Sequence, residues 1–117
     1  TASLNGRPIV GLSDGGRTPL RLTLGQQGQP QVSLLNGAGR TSLGLVVGED
    51  DAPFLSIFDS AGAQRVAIGT VADSTLINLM DGNGPRLVLG VAEDGRASVS
   101  FYDEEGALEH VVSADDR

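Results

Sequence analysis

LSIFDSAGAQRVAIG, running from Leu55 to Gly69, contains both halves of the pattern that decides the fold. Leu55 and Ile57 alternate with Ser56, which is the period of a strand with one face turned inward. Asp59 then opens a turn, because its carboxylate can accept hydrogen bonds from backbone N–H groups two residues on. Three residues later Gly62 can adopt positive φ, since it has no Cβ to clash. Val66 and Ile68 resume the alternation. The stretch therefore predicts a β-hairpin closed by a type I turn and a glycine bulge.

The same pattern recurs along the chain. VSLLNGAG (Val32 to Gly39), INLMDGNG (Ile77 to Gly84) and VSFYDEEG (Val99 to Gly106) match LSIFDSAG, and IVGLSDGG (Ile9 to Gly16) is a weaker first copy. Successive copies start 23, 23, 22 and 22 residues apart. Asn36, Asp59, Asp81 and Asp103 open the turns, while Gly39, Gly62, Gly84 and Gly106 supply the positive φ; Ser13 and Gly16 hold these places in the first copy. A second apolar stretch follows each turn: LRLTLG from Leu20, LGLVVG from Leu43, VAIG from Val66, LVLG from Leu87 and HVVS from His110. It reads as longer in the first two units than in the last three. A looser polar turn then leads to the next unit. No stretch shows the 3.6-residue period of a helix. The expectation is an all-β single domain of five tandem hairpins at about 8–29, 30–52, 53–74, 75–96 and 97–117. Residues 1–7 read as the end of a preceding half-unit, so further chain is expected before Thr1.

Sorting each first strand by face puts Ile9, Val32, Leu55, Ile77 and Val99 together, followed by Gly11, Leu34, Ile57, Leu79 and Phe101. The opposite face starts polar at Ser33, Ser56, Asn78 and Ser100. It ends apolar beside the turn, at Leu12, Leu35, Phe58, Met80 and Tyr102. A strand with that side in plain water needs no second apolar stripe, so the stripe is expected to be covered on assembly. Open-ended hairpin arrays also present unpaired edge strands. Stacked units in a prism-like or solenoid-like array, with a core shared between chains, satisfy both demands.

Composition narrows the function. The net charge is −7, and all eight cations are isolated Arg residues, so no basic patch exists to hold nucleic acid. No apolar run approaches the ~20 residues that span a bilayer. There is no Cys, hence neither a disulfide framework nor a thiolate site. His110 is the only histidine, and it takes the place of the core residue Leu87 one unit earlier. No catalytic or phosphate-binding signature surrounds it, and an enzyme is not expected. Glu49, Asp50, Asp51, Glu93, Asp94, Asp115 and Asp116 recur in the looser turns. Such carboxylates suit calcium, yet no known calcium-loop spacing is present, and they read as solvated, edge-protecting charge. No other cofactor is implied. A ligand- or carbohydrate-binding module is the alternative function, although its usual aromatic platform would have to come from Phe54, Phe58, Phe101 and Tyr102 at inequivalent places.

The pattern apolar-x-apolar-apolar-Asp-x-x-Gly, Arg-apolar-x-apolar-Gly, Asp-Gly, carried by Leu55 to Gly69 and Ile77 to Gly95, resembles tandem repeats of bacterial surface proteins and of phage-type tail-fibre stalks. That resemblance implies a homo-oligomer, a trimer or a filament, with a narrow aliphatic core between chains. It implies a structural role in a stalk, fibre or extracellular filament, at a cell or virion surface. A glycan is the other partner to be considered.

Overall fold

The computed structural model describes residues 2–4, 7–48 and 50–114, and these form a single antiparallel sheet. Its strands are β1 (Ala2–Leu4), β2 (Arg7–Asp14), β3 (Arg17–Leu24), β4 (Pro30–Leu35), β5 (Thr41–Val47), β6 (Pro53–Phe58), β7 (Gln64–Val71), β8 (Ser74–Met80), β9 (Pro85–Val91), β10 (Ala97–Tyr102) and β11 (Leu108–Ser113). Each pairs only with its neighbours in sequence, in the order β1 to β11. Five hairpins, β2–β3 to β10–β11, thus lie side by side as a meander, and β1 adds the half-unit expected before them. Among the described residues there is no helix, hence none able to cross a membrane.

Local chemistry accounts for these elements. Pro30, Pro53 and Pro85 open strands, where a missing N–H costs least. The register slips between Leu34 and Leu35, Ile57 and Phe58, Leu79 and Met80, and Phe101 and Tyr102, so a bulge stands beside each tight turn as the Asp-x-x-Gly pattern predicts. Gly39, Gly62 and Gly106 adopt φ of 80°, 90° and 88°. Gly84 does not; in its turn the positive φ of 101° falls on Gly82. The looser turns are as tight as the others, since the N–H groups of Gly28, Asp51 and Gly95 bond to the carbonyls of Gly25, Gly48 and Ala92. Between β7 and β8 a two-residue turn at Ala72 and Asp73, both at positive φ, lets β7 continue to Val71. The second strand of the third unit is therefore eight residues long, as long as that of the first, which corrects the shortening inferred from sequence.

The first hairpin also departs from the sequence alignment. Gly15 and Gly16, at φ 59° and 84°, make a two-residue turn closed by Asp14 and Arg17. This is the primed geometry that paired glycines favour. Ser13 therefore does not take the place of Asn36. A one-residue change of register turns every side chain over. Val10 and Leu12, rather than Ile9 and Gly11, stand in line with Val32 and Leu34.

Candidate functional site, an apolar sheet face

Register places ten cross-strand partners in one unbroken row: Val10, Leu22, Val32, Leu45, Leu55, Ile68, Ile77, Leu89, Val99 and Val112. Beside it, toward the tight turns, runs Leu12, Leu20, Leu34, Leu43, Ile57, Val66, Leu79, Leu87, Phe101 and His110. A third row on the same face includes Leu24, Pro30, Val47, Pro53, Thr70, Thr75, Val91 and Ala97. No Asp, Glu or Arg stands in these rows. Open hollows of about 380 and 430 Å3 lie along the sheet; Val32, Leu45 and Ile68 help line the first, and Ile77, Leu89, Val99 and Val112 the second.

Nothing in the described chain covers this face. None of the described apolar side chains is fully buried, and Leu22, Leu45, Val91 and Val112 are between 44% and 50% exposed. The solvent-accessible surface is 7915 Å2, against roughly 6,000 Å2 for a folded monomer of this mass. Roughly 1,900 Å2 is thus exposed beyond the usual amount. The radius of gyration, 17.2 Å, likewise exceeds the roughly 13 Å of a compact domain of this length.

The opposite face is mixed. One row reads Gly11, Arg21, Ser33, Gly44, Ser56, Ala67, Asn78, Val88, Ser100 and Val111. In the next row Phe54 pairs with Gly69 so closely that a Cβ on Gly69 would lie 2.6 Å from both the Phe54 ring and the Pro53 carbonyl oxygen. Leu35, Phe58, Met80 and Tyr102 lie on this face, each half-buried beside its turn. Leu12, grouped with them from the sequence, belongs to the apolar face, where it pairs with Leu20 and is 65% exposed. The cause is again the shorter Gly15-Gly16 turn.

The turn residues form a second recurrent feature. Asn36 Oδ1 accepts the N–H groups of Ala38 and Arg40, Asp59 Oδ1 those of Ala61 and Ala63, and Asp103 Oδ1 those of Glu105 and Ala107, at 2.8 to 3.1 Å. Asp81 Oδ1 accepts the Asn83 N–H at 2.9 Å. Three arginines then tie one hairpin to the next, the first being Arg40, which donates to the Ser60 carbonyl at 3.1 Å. Arg65 donates through Nε to the Met80 carbonyl at 2.8 Å and pairs with Asp59 at 3.4 Å. Arg86 donates to the Tyr102 carbonyl at 2.8 Å and pairs with Asp81 at 3.2 Å. Asp59 is held below the usual aspartate range by the Ala63 N–H first; the opposing cost of burial ranks next, and the Ala61 N–H and then Arg65 add to the lowering. Asp81 is lowered by the Asn83 N–H and then by Arg86.

The looser turns use their acids in the same way. Asp50 accepts the Ala52 N–H, and Asp94 accepts the Arg96 N–H while pairing with its guanidinium at 3.5 Å. Glu49, Asp115 and Asp116 lie outside the described residues, and among the described ones no three His, Cys, Asp or Glu side chains converge in a way that could hold a metal ion. The aromatics divide between the faces: Phe101 packs on His110 with ring centroids 6.2 Å apart on the apolar face, while Phe54, Phe58 and Tyr102 lie on the other.

One feature legible in the sequence, and missed when the net charge was taken as a whole, is its distribution. Residues 1–48 carry four Arg and a single acid, Asp14, for a net +3. Residues 49–117 carry four Arg and 14 acids, for a net −10. Because the strands follow one another across the sheet, the asymmetry of the described residues, net +3 over 7–48 and net −8 over 50–114, becomes a charge gradient along the 56 Å axis. No protein-family model and no curated protein matches this chain.

Proposed function

We propose that this chain is a structural, self-assembling β-repeat protein, an elongated building element of a stalk, fibre or extracellular filament. The observation that carries the reading is the apolar face. A sheet hydrophobic on one side must bury that side against another layer, and the described residues supply no such layer. The excess of roughly 1,900 Å2 over a compact monomer is the size of area that association removes from water. The Asn and Asp side chains that open the tight turns are engaged in closing them, and arginines tie hairpin to hairpin, which suits a scaffold. The resemblance of the repeat to surface-protein and tail-fibre stalks supports placement at a cell or virion surface. Multi-angle light scattering at high protein concentration tests the proposal. The expected result is a mass that is a multiple of 12.0 kDa, and a monodisperse 12.0 kDa species overturns it.

A further inference from the structure

We infer that the apolar face packs against the same face of a second copy of this chain, with the two long axes antiparallel, so that the first hairpins of one copy lie over the last hairpins of the other. The inference rests on the self-assembly reading and adds to it the surface, the partner and the polarity.

Three observations lead there. The face carries no Asp, Glu or Arg in its three rows, so a partner that brought charge to it would lose hydration with nothing to pair. The partner surface must be aliphatic, sheet-like and equally long, and this chain's own face has that chemistry and those dimensions. The second observation is size. At full overlap a 56 × 29 Å face gives a footprint of roughly 1,600 Å2 per copy, or roughly 3,200 Å2 for the pair, above the roughly 1,200–2,000 Å2 of a standard stable interface. Facing sheets would meet at about 10 Å, with side chains of the two ladders interdigitating.

The third is charge, which selects the polarity. Parallel stacking would bring the two halves of net −8 together, and like charges set against each other disfavour an arrangement. Rotation by 180° about an axis along the strands instead sets residues 1–48 of each copy over the acidic half of the other. It also keeps the tight turns on the same side. Arg17, beside the first tight turn, then comes between the turns opened by Asp81 and Asp103, and Arg40, beside the second, between those opened by Asp59 and Asp81. Such a contact is isologous, which is how two identical chains close a pair.

The chain has no cysteine, so single Cys variants take one spin label per copy. Glu104→Cys lies at the β10–β11 turn and Ala61→Cys at the β6–β7 turn, near the middle of the sheet. For antiparallel copies, pulsed electron spin resonance should give a Glu104→Cys separation of about nine strand spacings, roughly 43 Å, and an Ala61→Cys separation under about 20 Å. Equal separations at both sites, of about one strand length, overturn the antiparallel order, because parallel face-to-face copies carry their tight turns on opposite edges. Light scattering of paired variants tests the surface. Leu45→Glu with Leu89→Glu on the apolar face should reduce the mass to 12.0 kDa, whereas Ser33→Glu with Val111→Glu on the mixed face should leave the oligomer intact. Dissociation by the mixed-face pair alone overturns the inference and leaves self-assembly standing. A wild-type mass of 12.0 kDa overturns self-assembly itself.

Discussion

The third and fourth hairpins carry the same Asp-x-x-Gly signature and close it differently. In the third, Asp59 is followed by Ser60, Ala61, Gly62 and Ala63; Gly62 takes positive φ, and the Asp59 carboxylate holds two N–H groups, those of Ala61 and Ala63. In the fourth, Gly84 occupies the place of Ala63, because the Asp81 N–H bonds to its carbonyl as the Asp59 N–H bonds to that of Ala63. The turn is one residue shorter: Arg65 stands six positions after Asp59, and Arg86 five positions after Asp81. Pro85, which has no N–H, follows directly and pairs with Met80. The positive φ moves to Gly82. A glycine in a repeat signature therefore does not mark the same backbone conformation in every copy, and the count of residues to the next fixed side chain is the better guide.

The largest effect should separate the two hairpins at their second strands. A Cβ at Gly69 meets the backbone oxygen of Pro53 as well as the Phe54 ring, and backbone yields at high cost. At Gly90 the nearest atom is a Leu76 methyl at 3.1 Å, the end of a flexible side chain. Gly69→Ala should lose about 1–3 kcal/mol in denaturant unfolding, as overpacked sites do, and Gly90→Ala under about 1 kcal/mol. Equal losses would show that the close approach at Phe54 is relieved easily. Because an associating chain has a concentration-dependent stability, the variants should be compared at one protein concentration.

A smaller contrast lies in the turns. Ala at Gly62 must adopt a φ of 90°, a left-handed conformation that costs about 1–2 kcal/mol for a residue with a Cβ. Gly84 has no such φ, and nothing lies within 4 Å of a Cβ there. Gly84→Ala should be near neutral, within about 0.5 kcal/mol, or slightly stabilising through the unfolded chain. If the two substitutions cost the same, the fourth turn closes as the third does.

How far the sequence carried these features depended on which signal each one used. The hairpins, their bulges and the residues that open the turns were readable because alternation and Asp-x-x-Gly chemistry are local. The register of the first hairpin was not, since aligning Ile9 with Val32 gave weight to hydrophobicity where the Gly15-Gly16 pair decides the turn. Leu12 was placed on the wrong face for the same reason. The uncovered face was half legible: Val32, Leu55 and Ile77 were grouped correctly, but the second strands that complete the ladder, Leu45, Ile68 and Leu89, join it only once pairing is known. The Arg40, Arg65 and Arg86 ties were hidden because each reaches a carbonyl 15 to 20 residues away, in the next unit. A carbonyl acceptor leaves no mark in side-chain identity.

Acid sensitivity should follow from the same two turns. The folded pKa values of Asp59 and Asp81 lie below the ordinary value near 3.8, so their contribution is full above that value and is lost as pH falls through the lowered ones. Stability should be flat across neutral pH and should decline below about pH 4. Asp59→Asn with Asp81→Asn should shallow that decline, and an unchanged acid limb would show that other carboxylates set it.

The smallest expected effect distinguishes the partners of the two carboxylates. The Ala63 N–H is the main cause of the lowering at Asp59, and Arg65 ranks behind the Ala61 N–H as well; at Asp81, Arg86 ranks directly after the Asn83 N–H. The ion-pair distances follow the same order, 3.4 Å against 3.2 Å. Both pairs are exposed enough for salt to screen them. Carboxyl-carbon NMR titrations should show Arg86→Ala moving the Asp81 midpoint toward the ordinary value by more than Arg65→Ala moves that of Asp59. Equal movements, or the reverse order, would mean that the shorter fourth turn holds its carboxylate through the backbone as firmly as the third does, and that the arginines serve mainly to tie each hairpin to the next.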